Sequence, residues 1–176
     1  KTPTSVLARF QRLFRGRETA YGQWKQDDVK TISQPITEAQ WKAHLAGKGP
    51  FLGIIPITET NDCYFGAIDV DDDTVNHAAL AGIIEAAGLP LVVCRSKSGG
   101  AHLYLFLRDP APASLVVAKL RAWATTLQLK NPPYPSGQPH PLEVFPKQTR
   151  ITPDVTGNWI NLPYYGNGTT NRYAVS

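Results

Sequence analysis

Residues 64–80 read YFGAIDVDDDTVNHAAL, an apolar run of strand-forming residues that breaks into four acids and then into helical spacing. Asp69, Asp71, Asp72 and Asp73 stand within five positions of one another. Like charges that close raise one another's pKa unless a cation lies between them. Two readings follow: the acids splay into water and cap the next helix, or they hold metal. Asp69 and Asp71 are one residue apart, so a strand that continues to Asp71 turns both carboxylates to one face and Val70 to the core. Such a pair of hard oxygen ligands suits Mg²⁺ or Mn²⁺. Asp72 and Asp73 are better placed to start the helix expected over about residues 74–87.

On either side of this stretch the chain keeps changing period. "FLGIIPI" (51–57) is a second apolar run, joined to "CYFGAIDV" (63–70) by a polar turn. "LPLVVCRS" (89–96) and "AHLYLFLR" (101–108) are two further strands whose "KSGG" link predicts an antiparallel hairpin. A helix covers about residues 112–128, a Pro-rich loop follows, and "LEVF" and "NWINLP" are short strands. The order is that of an α+β or split-βαβ sheet with helices on one face. It lacks the glycine fingerprint of a dinucleotide-binding domain.

The amino-terminal part differs. Val6, Leu7, Phe10, Leu13 and Phe14 recur at helical spacing with Arg9, Arg12, Arg15 and Arg17 between them, and Gly16 can end that helix. The arginines are either a solvated helix face or, with Tyr21 and Trp24, a basic and aromatic edge for nucleic acid. "ITEAQWKAHLAG" is a second helix with Thr37 and Gln40 placed for a capping box. Residues 1–48 thus read as a basic helical segment packed on a core formed by residues 49–176, one compact domain in all.

Two more clusters accompany the acids. In "RSKSGGAHLYLFL", Ser96, Ser98, Gly99 and Gly100 form a turn suited to an anion, Arg95 and Lys97 flank it, and His102 opens the next strand. The spacing is not that of a P-loop, and a glycine-rich hairpin with a strand histidine is the plainer reading. In "LEVFPKQTR", Glu143 leaves its strand on the face opposite to Leu142 and Val144. It is either a solvated strand acid or the third carboxylate that two divalent ions require.

Composition narrows the classes. An apolar fraction of 42% fits a globular core, and no apolar run approaches the ~18 residues of a membrane span. Cys63 and Cys94 lie in apolar runs and read as buried thiols of a reducing compartment. With no CxxC and four scattered histidines, zinc is not expected. A net charge of +4 is compatible with a nucleic-acid partner without requiring one. The start at Lys1 and the end at "NRYAVS" read as a piece of a longer protein.

The order of the three clusters resembles the archaeo-eukaryotic primase superfamily, nearest to phage, plasmid and TOTE-conflict-system primases. The likeness rests on "AIDVDDD", "RSKSGGAHLYLFL" and "EVFPKQTR…GNWINLPYYG", and on the amino-terminal "LFRGRETAYGQW". The resemblance implies an RRM-like mixed β-sheet with flanking helices, carrying the acids and His102 on one face. It implies a DNA primase or primase-polymerase that transfers nucleotides from NTPs or dNTPs onto a single-stranded DNA template. Asp69, Asp71 and Glu143 would be the catalytic and metal-binding acids, for two Mg²⁺ or Mn²⁺ ions. Arg95, Ser96, Lys97, Ser98, Gly99, His102 and Lys147 would hold the nucleotide, and Arg15, Arg17, Tyr21 and Trp24 the template. A bacterial cytoplasm, a phage or plasmid origin, and a helicase or other replication domains beyond this chain are further expectations. A metal-dependent nuclease or phosphodiesterase, and a non-catalytic single-strand-binding initiator module, are the alternatives.

Overall fold

In the computed structural model, which describes residues 5–167, 170 and 172–175, the chain folds into two antiparallel sheets and four helices. The larger sheet follows from strict alternation in its strands. These are β4 (Asp62–Val70), β5 (Leu91–Arg95), β6 (Ala101–Pro112), β7 (Glu143–Phe145) and β9 (Ala174–Val175). Ile68, Val70, Leu91, Val93, Ala101, Leu103, Leu105 and Val144 all point to one side. There they bury against α3 (His77–Ala86) through Leu80 and Ile84, and against α4 (Ala113–Thr126) through Val116, Val117, Leu120 and Ala124.

The strand order is β7, β4, β6, β5, β9. Helix α3 carries the chain from β4 to β5, and β6 then pairs antiparallel between them. The same device returns the chain through α4 to β7 on the other side of β4. This is the RRM-like split-βαβ arrangement. The expected mixed sheet is antiparallel at every pairing, because each helical crossover leaves a gap that a hairpin or return strand fills.

The amino-terminal part is not wholly helical. α1 (Val6–Leu13) ends before Gly16 and α2 (Glu38–Leu45) carries the Thr37–Gln40 capping box, but a hairpin lies between them. Its strands are β1 (Tyr21–Lys25) and β2 (Asp28–Ile32), and its turn residues Gln26 and Asp27 both have positive φ, as a tight hairpin needs. β1 pairs with β3 (Phe51–Ile54) across the expected boundary at residue 48, and β8 (Ile160–Asn161) completes a sheet ordered β2, β1, β3, β8. Directly paired Gly22 and Gly53 leave room for the Trp159 indole; a Cβ on either would lie 2.0–2.1 Å from that ring. Residues 1–4 of the expected segment fall outside the described residues.

The inner face of this small sheet buries Tyr21, Leu52, Ile54 and Ile160 with Phe10, Phe14 and Trp41. That cluster closes on Phe65, Ala67, Cys94, Tyr104 and Phe145, the side of the large sheet turned away from α3 and α4. The molecule is therefore layered as helices, large sheet, then small sheet with α1 and α2. Among the described residues, no helix is long and apolar enough to cross a membrane. Cys63 and Cys94 are both free and buried, and burial raises each thiol to about 12.

His44 ties α2 to the small sheet. It is fully buried on α2, donates from Nε2 to the Pro163 carbonyl at 2.9 Å and accepts the Leu52 amide at Nδ1. Burial lowers its pKa to about 4 from 6.5, and Arg172 pushes the same way while the Pro163 carbonyl opposes. With the folded-state pKa below the unfolded one, the neutral ring's contribution is complete above pH 6.5 and is lost as pH falls towards 4. The loss is about 1.4 kcal/mol per pH unit, or about 3 kcal/mol in total. Urea unfolding between pH 7 and 4.5 should show this fall in the wild type, and a much shallower one in His44→Gln whatever that variant's stability at pH 7.

Candidate active site

The pairing registers set five residues in one row across the large sheet. Glu143 of β7 stands opposite Asp69 of β4, Asp69 opposite His102 of β6, His102 opposite Cys94 of β5, and Cys94 opposite Ala174 of β9. Directly opposed residues share a face, with Cβ atoms about 5 Å apart. This face is the one covered by the small sheet, and the row lies where that cover runs out. Tyr104, two residues into β6 from His102, is fully buried, whereas the side chains of Asp69 and Glu143 are 16% and 39% exposed. Acids that would be intolerable two positions deeper are thus partly solvated here, Glu143 more than Asp69.

A hydrogen-bond chain fixes His102. The Tyr104 hydroxyl donates to the Asn161 carbonyl at 2.9 Å, so its oxygen accepts from His102 Nδ1–H at 3.0 Å. With the proton on Nδ1, a neutral His102 turns the Nε2 lone pair towards Asp69 Oδ1, 3.3 Å away. That carboxylate oxygen is buried and receives no hydrogen bond among the described residues. Two lone pairs facing each other repel unless a cation lies beside them. The donor set fits a hard divalent cation at Asp69. No group of three or more His, Cys, Asp or Glu side chains among the described residues is drawn together tightly enough to cage an ion as it stands. Glu143 is turned instead to Lys147, whose Nζ donates to Oε1 at 2.5 Å.

Asp71 lies just beyond β4, not on it. Its amide donates to Asn131 Oδ1 at 2.9 Å, and Asn131 Nδ2 in turn donates to the Pro141 carbonyl at 3.3 Å. The Pro-rich loop also brings His140 Nε2 within 3.4 Å of Asp71 Oδ2, its ring stacked on Tyr134 at 4.0 Å. Burial raises the Asp71 pKa, Asp69 and Glu143 add to the rise, and the two histidines His140 and His102 oppose it. Asp72 does not cap α3. It accepts from the Thr74 amide and hydroxyl in a local turn, while Asn76 is the cap and accepts from the Ala79 amide. Five residues, 71–75, separate the end of β4 from that cap, which puts both Asp72 and Asp73 too early.

The turn between β5 and β6 closes on itself. The Ser96 amide donates to the Gly100 carbonyl, the Gly99 amide to the Ser96 carbonyl, and the Ser96 and Ser98 hydroxyls meet at 3.2 Å. Two of the amides expected to face an anion are therefore taken up within the turn. Ser98, Gly99 and Lys97 remain exposed, while Ser96 is buried. Gly100 must be glycine, since a Cβ there would lie 2.2 Å from the Val70 carbonyl. His77 Nε2 donates to the Gly100 carbonyl at 2.9 Å, tying the turn to the start of α3.

Of the residues expected to hold a template strand, two are placed elsewhere. Tyr21 is 2% exposed, in the inner core, and its hydroxyl accepts from Gln23 and Gln40. Arg17 is a structural clamp: it donates to the carbonyls of Val155 and Thr156 and to Thr19, and lies 3.8 Å from the Glu59 carboxylate. Buried tyrosine faces and satisfied guanidinium donors have nothing left to offer a nucleotide. Arg15 is exposed, with its guanidinium 3.5 Å above the Tyr64 ring, and Trp24 lies on the outer face of the small sheet under Lys97. Tyr104, Asn131, His140 and Asn161 did not stand out in the sequence. Only Tyr104 carried a signal, its i+2 spacing from His102 on a strand.

Residues 25–175 match the family model described as the archaeo-eukaryotic primase domain of TOTE conflict systems. No curated protein matches the chain.

The Tyr104 bridge is testable without any substrate. Tyr104→Phe leaves His102 Nδ1 and the Asn161 carbonyl without their partner, and should cost about 1–3 kcal/mol in urea unfolding. Imidazole ¹⁵N chemical shifts should show Nδ1 of neutral His102 protonated in the wild type and mixed tautomers in the variant. Identical spectra would remove the bridge as the cause of the ring's orientation.

Proposed function

The chain belongs to the archaeo-eukaryotic primase family of TOTE conflict systems, and from that premise we propose that it is a DNA primase or primase-polymerase domain, adding nucleotides from NTPs or dNTPs to a strand on a single-stranded DNA template. The observation that carries this reading is the row of Glu143, Asp69 and His102 on three adjacent strands, at the exposed margin of an otherwise buried sheet face. Two carboxylates and a histidine gathered in one register at a sheet margin are the kind of cluster that marks functional sites.

Asp69, Asp71 and Glu143 would hold two Mg²⁺ or Mn²⁺ ions. When bound, such ions lower the pKa of an attacking 3′-hydroxyl and neutralise charge on the leaving pyrophosphate. Asp69 contributes the oxygen that lacks a donor. Asp71, its pKa raised by burial and its acidic neighbours, gains the most from a cation beside it. Glu143 reaches the site when Lys147 leaves its carboxylate for a phosphate oxygen, so that one ion pair stores both groups until substrate arrives. His102, held by Tyr104, would meet the phosphate chain as a donor only with a proton on Nε2, and the Ser98 and Lys97 side chains extend the same contact from the exposed turn. Holding the α-phosphate in line with the attacking oxygen is itself a large part of the rate enhancement.

The test uses a labelled primed template and an unprimed one, each with nucleotides and Mn²⁺. Lengthened or newly made strands are expected from the wild type. Asp69→Ala should lower the rate at least ~100-fold, the scale lost when one group stabilising developing charge is removed, with strand binding retained. Shortened strands would instead identify a nuclease. Strand binding without product in either assay, indifferent to Asp69→Ala, would leave a binding module.

A further inference from the structure

Asp71 is the one member of the acid set that the large sheet does not hold. Asp69 is paired on both sides, with His102 and with Glu143, but β4 ends at Val70 and α3 is not capped until Asn76. Extending the β4–β7 register by two residues sets Asp71 opposite Pro141. Neither residue belongs to a strand, and the side-chain amide of Asn131 bridges them. Its Oδ1 accepts from the Asp71 amide at 2.9 Å, and its Nδ2 donates to the Pro141 carbonyl at 3.3 Å. A peptide-like group inserted in this way does for Asp71 what the ladder bonds do for Asp69.

A second contact reaches Asp71 from the same loop. His140 Nε2 lies 3.4 Å from Asp71 Oδ2, and its side chain is 15% exposed. Residues 132–139 are all exposed, whereas Asn131 and His140, which flank them, are half-buried. The loop thus has little apolar burial to hold it and is stiffened by other means. Five of residues 131–141 are proline, which narrows the unfolded ensemble. Asn131 precedes Pro132 and His140 precedes Pro141, which biases each to extended backbone. Within the loop the Tyr134 amide donates to the Gln138 carbonyl at 3.0 Å and the Gly137 amide to the Tyr134 carbonyl at 2.7 Å. The Tyr134 ring then stacks on His140 at 4.0 Å. Such stiffness in an exposed loop has its use at the group that both its ends meet.

We propose that Asn131 and His140 are positioning residues that hold Asp71 ready as a ligand for a divalent ion, which makes the Pro-rich loop a working part of the site. This rests on the nucleotidyl-transfer reading above. Asn131 fixes the Asp71 backbone where it leaves β4. His140, braced by Tyr134, fixes the carboxylate: as a donor from Nε2 it holds Oδ2 and leaves Oδ1 for the ion. A ligand oriented beforehand gives up less rotational freedom when the ion binds, and groups that support ligands in this way carry much of a site's affinity. Asp69 and Glu143 take their direction from strand register, so Asp71 is where the loop is needed.

The experiment titrates Mn²⁺ into the whole chain, reads the free ion by electron paramagnetic resonance, and follows strand synthesis on a primed template beside it. Asp71→Ala sets the level of binding without that ligand. His140→Ala and Asn131→Ala should each weaken the Asp71-dependent binding by ~10-fold, the lower end of what supporting groups carry. His140→Gln, which keeps an N–H donor near the Nε2 position, should recover most of the loss. In an Asp71→Ala background, His140→Ala should change Mn²⁺ affinity less than about twofold, because the group it supports is gone. A merely structural loop would instead show equal losses with and without Asp71, and no rescue by glutamine. Should Asn131→Ala fail to fold, the His140 variants carry the same test. Unchanged Mn²⁺ affinity in His140→Ala overturns the proposal, and so does tighter binding, which would make the ring a competitor for the carboxylate. Mn²⁺ binding that depends on Asp71 and His140 in a chain that makes no strand would sink the functional reading and leave this proposal standing. Strand synthesis that is lost in Asp69→Ala but indifferent to His140 and Asn131 would do the reverse.

Discussion

The site depends on the register of β4 against its neighbours. One residue away from the polar row runs a second one: Val144, Ile68, Leu103, Val93 and Val175 stand opposite one another across the same five strands. The second row faces α3 and α4 and is apolar at every position, while the first carries two acids and a histidine. A slip of one residue in any pairing would exchange the rows locally, putting Asp69 or Glu143 under a helix and Ile68 or Val144 at the margin. Burial of an unpaired carboxylate costs several kcal/mol, and the lost apolar burial adds to it. The helices that bury one row thus hold the other in alignment, and the geometry of the acids is a consequence of core packing one residue away.

The small sheet adds a second constraint. It covers the polar face of the large sheet as far as Tyr104 and stops, so Tyr104 lies in the dry interior and its hydroxyl reaches the margin. A buried hydroxyl must be satisfied, and the Asn161 carbonyl and His102 Nδ1 satisfy it from the two sheets. The ring that would touch substrate is therefore oriented from below by the layer that ends beside it. Packing of β8 against β3, with the Trp159 indole lying on Gly22 and Gly53, reaches the site through this one contact.

Much of this was legible because strand alternation is a local property. Ile68 and Val70 against Asp69, and Leu142 and Val144 against Glu143, state which face each carboxylate takes before any partner strand is known. The strand order was legible as a class, and the family likeness drew the three motifs together. What escaped was set by contacts distant in sequence. The hairpin of β1 and β2 turns on Gln26 and Asp27, residues that adopt positive φ without the glycine that usually announces it. Tyr21 and Trp24 are three positions apart on a strand, which puts one in the core and the other outside; read as a helical edge they had seemed alike. Arg17 looked like a phosphate ligand because nothing local reveals that carbonyls at 155 and 156 will meet it. His140 sits in a loop dominated by proline, where no periodicity marks a direction.

The polarity of the row follows from topology. Antiparallel strands cancel most of one another's backbone dipole, so any gradient across the sheet must come from side chains in strand order. The split-βαβ connection brings strands from distant parts of the chain into the sequence β7, β4, β6, β5, β9. Acids on the first two and histidine on the third thus make one polar row out of three motifs distant in sequence. Lys147 sits at the acidic end and neutralises Glu143, which makes the pattern tolerable before a ligand arrives. Arg95 and Arg172 have no such partner among the described residues and rely on aromatic rings. The Lys147 and Arg172 charges are therefore held differently, one in an ion pair and the other against an aromatic ring.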